Sequence, residues 1–243
     1  MGSPVVHFEI HGKDRDSLSK FYEDLFGWNL QPNPEWNYVI VDTFAGGGIN
    51  GGFATNEKGP QVVFYVKVPD LEKALDQIES LGGKTVMPPD EVPNVVRLAQ
   101  FTDPQGNLIG LVQDVGPEGP GVSEGSNAPI DWFEVLGTNA KELYEFYAKA
   151  FGWQINPSDA GGFEYAEVDT GAGQGISGGI GASPTGKGAV TVYAKVDDLD
   201  KYLLRANELG AKTVLEPMKV GEHTTVAAII DPQGNAFGLF QIG

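Results

Sequence analysis

The chain has 243 residues, 41% hydrophobic and 20% charged, a balance that suits one or two globular domains and leaves room for a sizeable core. Its 33 acidic and 16 basic residues give a net charge of −17, which argues against a phosphate-binding surface and so against nucleic acid as a partner. No cysteine is present, which removes disulfides and thiolate chemistry and suits a reducing compartment.

No apolar run approaches the roughly 20 residues of a membrane span. The first residues, MGSPVVHF, carry no basic segment followed by an apolar one, so a cytoplasmic protein without a membrane partner is expected.

In chain order, VVHFEIHG (5–12) reads as the first strand. Side chains alternate faces with period 2, so Val6, Phe8 and Ile10 form an apolar face, and His7, Glu9 and His11 lie opposite. A helix follows over 16–26, with Leu18, Phe21, Tyr22 and Leu25 on one stripe. Short strands are expected near 28–31, 37–43 and 48–54. The order then recurs: strand 61–68, helix 70–81 ended by Gly82, and strands near 84–87, 94–102 and 107–113. The same parity puts Val63, Tyr65 and Lys67 on one face of the fifth strand, while Arg97 falls near the sheet's other hairpin.

This whole pattern is written twice. SKFYEDLFGW (19–28) returns as YEFYAKAFGW (144–153). VKVPDLEKALDQIESLGGKTV (66–86) returns as AKVDDLDKYLLRANELGAKTV (194–214), and DPQGNLIGLVQ (103–113) as DPQGNAFGLFQ (231–241). The expected organisation is a first module over 1–113, a Gly- and Pro-rich linker over 114–129, and a second module over 130–243. Each module holds two βαβββ units. The fold class expected is α+β, with a curved mixed sheet in each module and helices on its outer face. Its helices need the apolar face of the first strand, so His7 and Glu9 should look into the open cleft of the sheet.

Two glycine-rich stretches, GGGING (46–51) and GQGISG (173–178), fit G-x-G-x-x-G. A dinucleotide site needs a helix immediately after, and here a strand follows, so hairpin or bulge glycines are the better reading. Phe21/Phe146, Tyr22/Tyr147, Trp28/Trp153 and the DPQGN turns occur in both copies and read as core and turn residues.

The βαβββ rhythm, the stretch HFEIHGKDRDSLSKFYEDLFGW and the DPQGNLIGL that closes each copy resemble the vicinal oxygen chelate superfamily of glyoxalase I, bleomycin-resistance proteins and extradiol dioxygenases. The chain looks closest to the two-module subgroup of predicted enzymes related to lactoylglutathione lyase. The resemblance implies a metal bound by one ligand from each of four strands. His7 matches the first. The other positions hold Asn50 to Gly52, Val63 and Gly110, and the second copy offers Trp132, Ser177 to Gly179, Thr191 and Gly238. Glycine and valine side chains bring no donor, and catalytic metal sites use about three protein ligands.

The expectation is therefore a binder of a small organic molecule, or a metal-independent enzyme, with no cofactor. The alternatives are a metal-dependent lyase or dioxygenase with a divalent ion at His7 and Glu9, and a non-catalytic structural or partner-binding protein. His7 and Glu9 are the candidate acid–base residues. His11, Tyr65, Lys67, Arg97, Trp132, Glu134, Tyr193 and His223 are the candidate ligand contacts. Where the copies differ, with His7 against Trp132, His11 against Leu136 and Arg97 against Thr225, the first is the one equipped for a polar ligand. Because one chain carries both modules, a monomer or weak homodimer is expected.

Overall fold

The computed structural model describes residues 2–43, 48–92, 95–114, 128–158 and 164–243. Residues 115–127 of the expected linker and Gly46 and Gly47 of the first glycine-rich stretch lie outside the described residues.

The first copy runs β1 (Val5–Gly12), α1 (Arg15–Phe26), β2 (Asn29–Asn33), β3 (Tyr38–Asp42), β4 (Asn50–Thr55), β5 (Gln61–Lys67), α2 (Leu71–Ser80), β6 (Lys84–Val92), β7 (Val96–Thr102) and β8 (Leu108–Asp114). The second runs β9 (Ile130–Gly137), α3 (Ala140–Phe151), β10 (Gln154–Ser158), β11 (Tyr165–Asp169), β12 (Ser177–Ala182), β13 (Ala189–Lys195), α4 (Leu199–Glu208), β14 (Lys212–Lys219), β15 (Thr224–Ile230) and β16 (Ala236–Ile242). Each copy makes one eight-stranded mixed sheet, ordered β2-β3-β4-β1-β5-β8-β7-β6 and β10-β11-β12-β9-β13-β16-β15-β14. The α+β class and tandem modules read from the sequence are the ones observed.

Helix starts are written in the sequence. Asp14, Asp70, Asn139 and Asp198 each cap a helix by accepting from the backbone N–H three residues on. Gly27 and Gly152 end α1 and α3 in the left-handed region, at φ 68° and 69°.

Two local features depart from the expected pattern. β6 continues past the expected 84–87 through Pro88 and Pro89; it is an edge strand, and its pairing with β7 shifts register at Met87 and Asp90, where a missing N–H is tolerated. On β1, Phe8 and Ile10 are fully buried as expected, but Val6 packs beside Val63 and Tyr65 rather than with them.

Packing divides the chain differently from the repeat. One compact unit joins β5–β8 and α2 of the first copy to β9–β12 and α3 of the second. The other joins β1–β4 and α1 to β13–β16 and α4, with the cut on β1 falling between His7 and Phe8. In the first unit, Phe64 meets Phe133 at 4.6 Å and Tyr147 stacks on Trp153 at 5.4 Å. In the second, Tyr22 stacks on Trp28 at 5.7 Å.

The DPQGN turns hold each unit together. The Asp103 carboxylate accepts from the N–H groups of Gln105 and Asn107, from Asn107 Nδ2, and from the Tyr147 hydroxyl at 3.0 Å. The Gln105 side chain donates to Asn139 O and accepts from Asn139 N, at the start of α3. In the other unit Asp231 accepts from Tyr22 at 3.2 Å, and Gln233 bonds both backbone groups of Asp14.

Burial, with the neighbouring Asp charge and hydrogen bond adding to it, raises the phenols of Tyr22 and Tyr147 well above their ordinary value of 10.0. The unfolded chain releases these protons above pH 10.0 while the folded chain keeps them, so their contribution is complete below that pH and is lost as pH rises above it. A Tyr22→Phe/Tyr147→Phe variant is expected to lose about 1–3 kcal/mol at neutral pH and to show a shallower alkaline decline in stability. Denaturant melts between pH 7 and 11 would measure both.

Candidate functional site

Strand parity sets what the concave face of each sheet presents. A Cβ on Gly51 would meet the Phe8 ring, so Gly51 and Phe8 share the helix-covered face. Gly52, Glu9 and His11 then lie on the other, concave side.

In the first unit the concave side of β5, β8 and β7 is apolar with one polar row. Val63, Tyr65 and Val112 form a buried cluster, with Val6, Val96, Leu98 and Leu108 packed against it. Tyr65 pairs with Gly110 and Gly110 with Gln100, so these three stand side by side. The Tyr65 ring lies across Gly110: a Cβ there would sit 2.1 Å from Cδ1 of the ring. The Tyr65 hydroxyl accepts from Gln100 Nε2 at 3.0 Å, and the His7 ring meets the Tyr65 ring edge-on at 5.7 Å.

In the second unit Glu9 and His11 form a pair on β1, with His11 Nε2 2.9 Å from Glu9 Oε2. Their side chains keep only 16% and 12% of their exposure. Beside them the Tyr38 hydroxyl lies over Gly52, and Ile40, the partner of Gly52, is 37% exposed.

The second copy repeats the tyrosine-over-glycine device. Tyr193 covers Gly238 and Tyr165 covers Gly179. Ala228 stands where Gln100 stands in the first copy.

The remaining candidates separate. Arg97 lies on the helix side of β7 with buried Ala99 and Phe101, away from the Tyr65 row. Its guanidinium donates to Gln113 at 3.0 Å and to Glu72 at 2.5 Å, the contact that chiefly raises its pKa and lowers that of Glu72. It clamps β7 and β8 to the first turn of α2. Lys67 pairs with Asp114 at the strand ends. Trp132 and Glu134 are half-buried on β9, in the places of His7 and Glu9. His223, 67% exposed in a turn, has Glu222 3.9 Å away. Two contributors escaped the sequence reading, Gln100 and Tyr38. Both were available as signals, since Tyr38/Tyr165 and Tyr65/Tyr193 recur in the two copies and parity aligns Gln100 with Gly110.

The metal positions implied by the resemblance do not fit an ion. Val63 is a buried apolar side chain, the Tyr65 ring occupies the space above Gly110, and His7 faces that ring. Among the described residues no three His, Cys, Asp or Glu side chains come together as ligands.

Family models match both halves: the glyoxalase/bleomycin resistance protein/dioxygenase superfamily over residues 5–111 and a glyoxalase-like domain over 134–240. The chain belongs to this superfamily. It is 25% identical over 253 residues to CFP32 of Mycobacterium tuberculosis, whose name provisionally assigns it as a glyoxylase, covering 96% of this chain and 92% of that one. It is 23% identical to the anthracycline biosynthesis protein DnrV of Streptomyces peucetius, covering 99% and 94%. The 2,3-dioxygenase LapB from Pseudomonas sp. KL28 shares the fold with a TM-score of 0.71 at 16% identity, over 100% of this chain and 93% of that one. The Mn(II)-bound glyoxalase from Novosphingobium aromaticivorans does so at 0.68, also at 16% identity, over 98% and 83%.

The Tyr65–Gly110 contact makes a stability prediction. Gly110→Ala must displace the ring, which should cost about 1–3 kcal/mol. Combined with Tyr65→Leu, the same substitution should cost much less. A double-mutant cycle by chemical denaturation measures that coupling, and additive effects would show that the ring does not depend on the glycine.

Proposed function

We propose that this chain binds a small organic molecule on the concave face of a sheet, without a metal at the superfamily's ligand positions, as a monomer or weak homodimer. The observation that carries this reading is the Tyr65 ring lying over Gly110, with its hydroxyl bonded to Gln100. At this position, where the resemblance implies a metal ligand, the chain has a glycine under an aromatic wall. Such a surface, apolar with few convergent polar groups, suits an organic ligand better than an ion.

The first module is the better equipped for a polar ligand. It sets His7, Glu9 and His11 on one strand face, where the second sets Trp132, Glu134 and Leu136. Chemistry that follows binding would rest on the His7 imidazole in the first compact unit and on the Glu9–His11 pair in the second, each able to supply proton transfer and hydrogen bonding without a Lewis acid.

Elemental analysis of protein purified without chelator tests the metal-independent reading. Metal well below one ion per chain is expected. A content of about one ion per chain, the stoichiometry of a single catalytic site, lost in His7→Ala, would establish the metal-dependent alternative instead. A ligand-observed NMR screen on wild type, His7→Ala and Trp132→Ala tests the choice of module. Hits are expected to weaken with His7→Ala. A hit abolished by Trp132→Ala and indifferent to His7→Ala would move the site to the second module.

A further inference from the structure

We infer that Glu9 positions His11 to present Nδ1 as a hydrogen-bond acceptor to a ligand hydroxyl, and that the ligand is a small alcohol with an apolar part. This rests on the small-molecule reading above, applied to the concave face of the second compact unit.

The geometry begins with the pair itself. His11 Nε2 lies 2.9 Å from Glu9 Oε2. An ionised carboxylate only accepts hydrogen bonds, so the ring nitrogen facing it carries the hydrogen. In its uncharged form the imidazole then has its lone pair on Nδ1, the tautomer being set by the bond the other nitrogen makes. The His11 side chain keeps 12% of its exposure, and Nδ1 presented there is an acceptor available to a ligand.

The second copy of the chain shows that the fold does not need this pair. At the matching strand, with the same burial pattern, Glu134 is followed two residues later by Leu136. Strand, alternation and neighbouring helix all form there without an imidazole. Holding a carboxylate and an imidazole at 16% and 12% exposure carries a desolvation cost that leucine avoids. An arrangement that the architecture does without, kept in a half-buried polar pair, is accounted for by a ligand.

The neighbouring side chains define the rest of that ligand. The Tyr38 side chain crosses Gly52 on the same face, and Ile40, paired with Gly52, is 37% exposed. In the second copy, where Tyr165 likewise covers Gly179, Glu167 pairs with that glycine. Glycine leaves the strand surface low, and isoleucine offers an apolar contact beside it. A hydroxyl donating to His11 Nδ1, with an apolar body resting on Ile40 and Tyr38, satisfies both.

Two measurements test the assignment. Nitrogen-15 spectra of the imidazole should show His11 as the Nε2–H tautomer in wild type, with that preference lost in Glu9→Ala; an Nδ1–H tautomer in wild type overturns the proposal. Benzyl alcohol and its methyl ether, which lacks the donor, should then be titrated against wild type and His11→Leu. Wild type should prefer the alcohol by about fivefold, the size of one net hydrogen bond, and His11→Leu should bind the two equally. Equal binding by wild type, a preference that survives His11→Leu, or no binding of either probe overturns the proposal. If other fragments bind while this preference is missing, small-molecule binding stands and only the role of His11 falls. If no fragment binds at all, the underlying reading falls with it.

Discussion

The buried hydrogen bond between an aspartate of one copy and a tyrosine of the other is the contact on which the remaining architecture rests. Asp103 holds a turn closed through its own backbone contacts and uses its second oxygen on Tyr147; Asp231 does the same with Tyr22. Burial raises the Asp103 carboxyl, and the hydrogen bonds from Asn107, Gln105 and Tyr147 oppose that. A carboxylate so enclosed is tolerated only where its lone pairs are met, which ties the turn and the helix to one arrangement. The glutamine two residues on completes the tie, because Gln105 and Gln233 satisfy backbone groups at the starts of α3 and α1. In each compact unit the contact joins residues more than 40 positions apart, so neither copy supplies both partners.

With the helices fixed on one side, the other side of each sheet is free to vary. The constraint there is steric. Among the described residues Tyr38, Tyr65, Tyr165 and Tyr193 lie over Gly52, Gly110, Gly179 and Gly238, and at each of these a Cβ would come within about 2 Å of the ring or its hydroxyl. A glycine beneath a tyrosine cannot be exchanged for a ligating residue without moving the ring. Gly110 and Gly238 keep the sheet pairing intact under Tyr65 and Tyr193, so each ring and the glycine beneath it are two aspects of one packing choice.

Much of this was legible from the residues because the chain repeats. Element order, helix caps and the burial of Phe8, Tyr22 and Trp28 follow from period, capping chemistry and recurrence. The DPQGN segment was legible as a turn, yet its partners were not: Tyr147 and Asn139 lie far along the sequence, and nothing local specifies them. Arg97 shows another limit. Its charge suggested a cleft, but parity on β7 places it with Ala99 and Phe101, and an arginine on a helix-covered face ends in a clamp to Glu72. β6 runs on through Pro88 and Pro89 because a proline, ill-suited to a strand interior, is tolerated on an edge. The opposed faces of β1 were read correctly from Phe8 onward, while the pairing of Glu9 with His11 needed side-chain geometry that alternation alone does not give.

The repeat also supplies an internal control for function. Residues identical in both copies hold the fold; those that differ on the same strand face are relieved of that duty. By this criterion Lys67, shared with Lys195, is weaker functional evidence than His7 and His11, or than Gln100, whose place Ala228 takes in the second copy. Lys67 bears this out by pairing with Asp114 at the strand ends, and in the second copy Ile242 stands at that acid's place. Glu9 and Glu134 hold matching places on β1 and β9, yet Glu9 lies 2.9 Å from His11 where Glu134 is followed by Leu136, so the residue two positions along the strand is what distinguishes the two copies there.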